Sequence, residues 1–163
     1  MSTATVRFVP FDEVDYLAWL TPAIPAFALS NVEDGRWTLA ESIAKSQQAH
    51  AELLPQGWLT PGHFFVHLQD AAGGERVGTL WWHEAAKGAV REAYVYSIDI
   101  EEPARRRGYG RAAFAELELE RVAREHGVRQ LALHVFGHNH GARRLYDSLG
   151  FEPTSITMRK RLD

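Results

Sequence analysis

Hydrophobic and polar positions along the chain alternate between two periods, and the changes of period divide it into elements. Thr5–Val9 alternates and is rich in β-branched residues, which predicts a first strand ended by Pro10. Asp12–Leu20 places apolar residues at 14, 17 and 20, a helical spacing, and Pro22 and Pro25 then predict an irregular stretch over 21–35. Trp37–Leu54 reads as a second helix, with Leu39, Ile43 and Leu53 on related faces, closed by Pro55-Gln-Gly57. His63–Gln69, the turn Asp70–Gly74 and Val77–His83 form a predicted hairpin. After a second turn region at Ala85–Val90, Ala93–Ile100 supplies a third strand of an antiparallel meander. Arg111–His126 is a helix with Phe114, Leu117 and Val122 at apolar spacing, stopped by Gly127. Gln130–Phe136 is a strand, and Asn139–Leu149 a short helix capped by Asn139 and stopped by Gly150. Phe151–Leu162 supplies a last strand or bent pair. The expectation is one mixed α/β domain over residues 1–163.

Composition narrows the chemistry. The chain has 163 residues, 45% of them hydrophobic, enough for one full core. Zero cysteines exclude disulfides, thiolate metal sites and a cysteine nucleophile. A net charge of −3 gives no general attraction to nucleic acid or anionic lipid, and no apolar run has membrane-spanning length. Neither a nucleic-acid nor a membrane partner is expected, and the first ten residues lack a signal-peptide core, so a cytoplasmic location is.

The chemistry-bearing stretch is Ile98–Arg111. A strand runs through an acidic-Pro turn into Arg105-Arg-Arg-Gly108-Tyr-Gly110-Arg111, where a helix begins. Amides at a helix start, glycines that admit close approach and flanking guanidiniums make an anion site. Gly108-Tyr-Gly110-Arg-Ala-Ala113 also fits a loose dinucleotide pattern. That reading needs an acidic residue after the next strand, where this chain has Phe136-Gly-His138, and about 50 remaining residues are too few for such a domain. No Gly-Lys-Ser/Thr is present, so a P-loop is excluded. His134, His138 and His140 lack the spacing of a familiar zinc site, and no metal is expected.

Two motifs together carry a resemblance. Arg105-x-x-Gly108-x-Gly110, preceded by Ile98-x-Ile100, and Asn139-x-x-Ala142-x-x-Leu145-Tyr146-x-x-Leu149-Gly150-Phe151 resemble the GCN5-related N-acetyltransferase (GNAT) family. The specific part covers residues 94–151. The resemblance implies a mostly antiparallel central sheet flanked by about four helices, with strands splayed at the cofactor site. It implies acetyl-coenzyme A as co-substrate and direct acetyl transfer to a primary amine. The cofactor-binding residues it implies are Ile98, Asp99, Ile100, Arg105, Arg106, Arg107, Gly108, Tyr109, Gly110, Arg111, Asn139 and Tyr146. Strand amides near Ser97 and Ile98 would face the thioester oxygen. Tyr146 is the implied acid for the departing thiolate.

The base is less determined. Some relatives carry a Glu where this chain has Tyr94. Glu92 lies on the same strand face and is the first candidate, acting through water, with His134 on the neighbouring strand as another. The rival class is a non-catalytic acyl-coenzyme A-binding module of the same fold. The acceptor amine is not readable, and because such relatives often dimerise, a homodimer is left open.

Overall fold

In the computed structural model, which describes residues 4–114 and 119–162, the first helix α1 runs over Glu13–Glu33. It opens with a reciprocal capping box, in which Asp12 accepts from the amide of Asp15 and the Asp15 carboxylate accepts from the amide of Asp12. The irregular stretch predicted over 21–35 is therefore corrected: the helix passes through both Pro22 and Pro25. A proline inside a helix costs about 3 kcal/mol in isolation. Here both rings lie on the exposed side, while α2 (Leu39–Leu53) packs against the other. Ala28 is buried, and buried Ser46 of α2 donates to the Ile24 carbonyl of α1 at 2.7 Å, so tertiary packing outweighs the local penalty.

The sheet has the order β1 (Val6–Pro10), β2 (His63–Asp70), β3 (Arg76–Lys87), β4 (Val90–Ile100), β5 (Gln130–Leu133). Neighbours are antiparallel except β4 and β5, which are parallel. The turn expected over 85–90 shrinks to the tight connection around Gly88. The crossover from β4 to β5 carries α3 (Tyr109–Phe114) and α4 (Leu119–Glu125); Leu117, expected on the apolar face of this helix, lies outside the described residues.

Strand periodicity divides the core in two. Phe64, Val66, Leu68, Leu80, Trp82 and Val95 face α3 and α4, and Phe114 and Leu119 pack among them. Phe65 and Trp81 face the other way, against Tyr16, Trp19 and Leu20 of α1. On the first side the buried Glu84 carboxylate is fully engaged, accepting from Trp82 Nε1 at 3.0 Å and lying 2.8 Å from His126 and 3.2 Å from Arg91. Gly78 is required where β3 meets the end of β4: a Cβ there would stand 2.2 Å from the Asp99 carbonyl oxygen.

The chain closes differently from its pattern. Helix α5 spans His140–Ser148, with the Asn139 side chain accepting from the amide of Ala142 as expected. Phe151 packs on the core, 5.8 Å from the Phe114 ring. The final strand expected over Phe151–Leu162 is not formed: these residues lie outside regular structure, and those from Glu152 onward are exposed. Likewise β5 stops at Leu133 rather than Phe136.

Candidate active site

The parallel pair β4 and β5 holds together only between Glu92–Val95 and Gln130–Leu133. Beyond Val95 and Leu133 the two segments part, and a cavity of about 530 Å³ opens across the gap. One wall is Tyr94–Ile98 of β4; the facing wall is Leu133–Phe136, with Asn139, Ala142 and Tyr146 from the start and inner face of α5. The third wall comes from α1 (Trp19, Ala23, Ala26, Phe27, Ser30) and α2 (Ala49, His50, Leu53), and Trp81 lines the sheet side. The α1 residues share one helical face, at i, i+4, i+7, i+8 and i+11.

At the parting point β4 carries a bulge. Trp81 opposes Ser97 while Trp82 opposes Val95, leaving Tyr96 as an extra residue with no ladder partner. The Tyr96 ring stacks on Trp81 at 4.4 Å and contacts Tyr94 at 4.8 Å. Burial raises the phenol pKa of both tyrosines above its ordinary value; for Tyr94 the neighbouring Tyr96 and Glu92 add to the effect.

Among the expected residues, Ile98, Asn139 and Tyr146 line the cavity. Tyr146 packs edge-on to Phe114 at 5.4 Å and to Phe151 at 5.7 Å, and burial raises its pKa, which keeps the hydroxyl protonated. The Arg105–Arg111 loop follows the end of β4 outside the lining. Arg106 has φ 63° and Gly108 φ 89°, and such left-handed turns gather successive amides into a concave surface. Its guanidiniums are partly engaged in the fold. Arg105 donates to the Ile100 carbonyl at 2.8 Å and lies 3.7 Å from Asp99, Arg107 stacks over the Tyr109 ring, and Arg111 donates to Ser148 at 2.6 Å. The Tyr109 side chain is buried in the core, so only its main chain is available to a ligand.

Glu92 is not part of the lining. Its carboxylate accepts from Gln130 and lies 3.8 Å from the Lys87 ammonium, one step behind Tyr94 on the same face. His134 does line the cavity, but its Nε2 lies 3.3 Å from an Arg36 nitrogen. A guanidinium only donates, so that nitrogen is the acceptor and its lone pair is occupied. Burial first, and Arg36 second, lower the His134 pKa. Arg36 also pairs with Asp34 at 2.6 Å and sits over the Phe136 ring.

No individual residue of the α1 and α2 wall is singled out by the sequence alone. The spacing of Trp19, Ala23, Ala26, Phe27 and Ser30 was a usable signal, hidden by the two prolines. His50 was also missed. Its Nδ1 lies 2.8 Å from the Ser46 carbonyl, which can only accept, so Nδ1 carries the proton and Nε2 is the basic nitrogen.

A family model described as Acetyltransferase (GNAT) family matches residues 29–151. Over 160 residues the chain is 36% identical to YycN of Bacillus subtilis (strain 168), named as an uncharacterized N-acetyltransferase, covering 97% of this chain and 99% of that protein. The crystal structure of YycN matches with a TM-score of 0.89 at 35% identity, over 97% of this chain and 99% of that one. A mycothiol acetyltransferase of Thermobispora bispora is 36% identical over 158 residues, 90% of this chain and 46% of its own length.

Proposed function

Because the chain belongs to the acetyltransferase (GNAT) family, we propose that it transfers acetyl from acetyl-coenzyme A directly to the primary amine of an apolar monoamine. The observation that carries this reading is the parting of β4 from β5 over a cavity lined by Ile98, Asn139 and Tyr146. On this reading the unpaired main-chain groups after Val95 and Leu133 take an amide-bearing arm between them, as an added strand is taken. The pyrophosphate falls to the amides of the Arg105–Arg111 turn, with Arg106 and Arg107 supplying charge and Arg105 and Arg111 bracing the turn.

The acceptor side follows from the third wall. Trp19, Phe27 and Trp81 line it, Tyr94 and Tyr96 of β4 border the same space, and no Asp or Glu stands among the described lining residues. Such a wall gives a polyamine no counter-charge. It also disfavours the ammonium form, whose ordinary pKa is ~10.4, and so promotes the neutral nucleophile that acyl transfer needs. The amine nitrogen attacks the acetyl carbon, and its proton passes to His50 Nε2, directly or through one water. The oxyanion is met by main-chain N–H groups at the Tyr96 bulge. The C–S bond then breaks, and the thiolate, of ordinary pKa about 8.5, takes the Tyr146 hydroxyl proton. Burial holds the Tyr94 phenol protonated, and Tyr96 and then Glu92 behind it add to that effect.

Free-thiol release from acetyl-coenzyme A against a panel of amines tests the reading. Turnover is expected with phenethylamine, at a kcat/KM at least tenfold above that for spermidine. Tyr146→Phe is expected to lower kcat by roughly 10²-fold, the lower range for general acid catalysis, with cofactor affinity unchanged. Tight cofactor binding with no thiol release on any amine would instead favour the non-catalytic acyl-coenzyme A-binding module.

A further inference from the structure

The cavity over the parted strands carries one permanent charge. Arg36 is the only Lys, Arg, Asp or Glu among its described lining residues. The end of α1 builds its place. Gly35, at φ 72°, turns the chain back after the helix, and the amides of Arg36 and Trp37 then both donate to the Asn31 carbonyl, at 2.9 and 3.3 Å. Asn31 is itself buried, its side chain donating to the Phe27 carbonyl at 2.9 Å, and Trp37 packs edge-on to Phe27. The stem of Arg36 is thus fixed, with its guanidinium at the cavity wall.

The guanidinium is aimed as well as placed. Nε donates to Asp34 at 2.6 Å, and the group lies over the Phe136 ring. Nη2 meets an uncharged acceptor, the imidazole Nε2 of His134 at 3.3 Å. Asp34 does not cancel the charge, because it serves two guanidiniums. Arg159 donates to its carbonyl at 2.6 Å and has a second nitrogen 3.6 Å from its carboxylate. Glu33, the other acid at this end of α1, turns to His138 at 3.4 Å. With Nε held by Asp34, the Nη1–Nη2 end faces a ligand, and its two parallel N–H bonds match the two oxygens of a carboxylate. A phosphate dianion would find no second Lys or Arg among the described lining residues.

The ladder shows how close this anion site stands to the chemistry. Val95 and Leu133 are the last paired residues of β4 and β5. Tyr96, at the bulge that meets the oxyanion in the proposed reaction, and His134, which Arg36 contacts, are each the next residue beyond them. Anion site and reacting carbon therefore face each other across the start of one gap. An acceptor that reaches both has its carboxylate on or beside the amine-bearing carbon, and Trp19, Phe27 and Trp81 leave an aromatic wall for the rest of it.

We infer that the acceptor is an aromatic amino acid, its carboxylate taken end-on by Arg36 in place of His134 and its ring by the aromatic wall. This rests on the proposed function and narrows its acceptor. The amine attacks and the C–S bond breaks as described there, giving an N-acetyl amino acid and coenzyme A.

The test compares free-thiol release for L-phenylalanine, phenylalaninamide and phenethylamine. The amide keeps the ring and loses the charge, and its amine is the less basic, so a preference for the acid does not come from amine ionisation. L-Phenylalanine is expected to exceed both in kcat/KM by about tenfold or more, the range for hydrogen bonds between charged groups. In Arg36→Gln that preference is expected to vanish through a raised KM for the amino acid. Arg36→Lys, which keeps the charge and loses the fork, is expected to lie between. If a substitution prevents folding, the wild-type comparison still decides. Turnover of phenethylamine with no gain from the carboxylate, a preference unmoved in Arg36→Gln, or a loss confined to the KM for acetyl-coenzyme A overturns the inference and leaves the proposed function standing. No thiol release with any amine overturns both.

Discussion

His63 shows what a single half-buried imidazole contributes. It stands opposite His83 in the β2–β3 ladder, their rings 4.3 Å apart, and its Nδ1 accepts from Trp81 Nε1 at 3.0 Å. Desolvation, and then the neighbouring His83, lower its pKa from 6.5 to about 4. The folded state therefore binds this proton less readily than the unfolded chain. Stability from this group is fully present above pH 6.5 and falls as the pH drops toward 4. Urea titrations from pH 7 to 4 are expected to show that decline, shallower in His63→Phe, which keeps the ring stacking and removes the proton site. At this scale the reading of the sequence is uneven. Asn139, Tyr146 and the Arg105–Gly110 turn are legible because local spacing fixes them. His50 is not, because the carbonyl that sets its tautomer belongs to a helix whose packing only the fold reveals.

Elements were legible where period and punctuation agreed. The hairpin β2–β3 and helix α5 have both, and the structure places them within a few residues of expectation. Helix α1 had them in conflict: two prolines spoke for a break, while packing against α2, with Ser46 donating to the Ile24 carbonyl, held the helix. At the other end, 151–162 has the alternation of a strand but pairs with no strand among the described residues, and period alone cannot supply a partner. Gly78 gives the element scale its own test. With the Asp99 carbonyl 2.2 Å from any added Cβ, Gly78→Ala must push β4 away from β3 just before the Arg105–Arg111 turn. A destabilisation of about 1–3 kcal/mol, typical of overpacking, is expected in denaturant melts, together with weaker acetyl-coenzyme A binding in calorimetry. An Ala elsewhere on the same strand at Thr79, which is not so crowded, serves as the control for lost β-propensity alone.

Across the whole molecule, the parted strands leave a seam. On one side lies the four-strand body with α1 and α2; on the other, β5 and α5, joined to it chiefly through the four residue pairs of the β4–β5 ladder and the core beneath. A ligand whose amides bridge the gap adds cross-links that the chain does not make for itself. Under the proposed function the protein is completed by its substrate, and its rigidity becomes a report of occupancy. Deuterium uptake at 134–136 is expected to be fast in the free protein and slowed at least tenfold by saturating acetyl-coenzyme A, with a rise in melting temperature that grows with the logarithm of ligand concentration. Free coenzyme A shares the same arm and is expected to brace the seam too. Product release must therefore reopen it, which makes the loosening of β5, rather than acetyl transfer, the step to watch for in the steady-state rate.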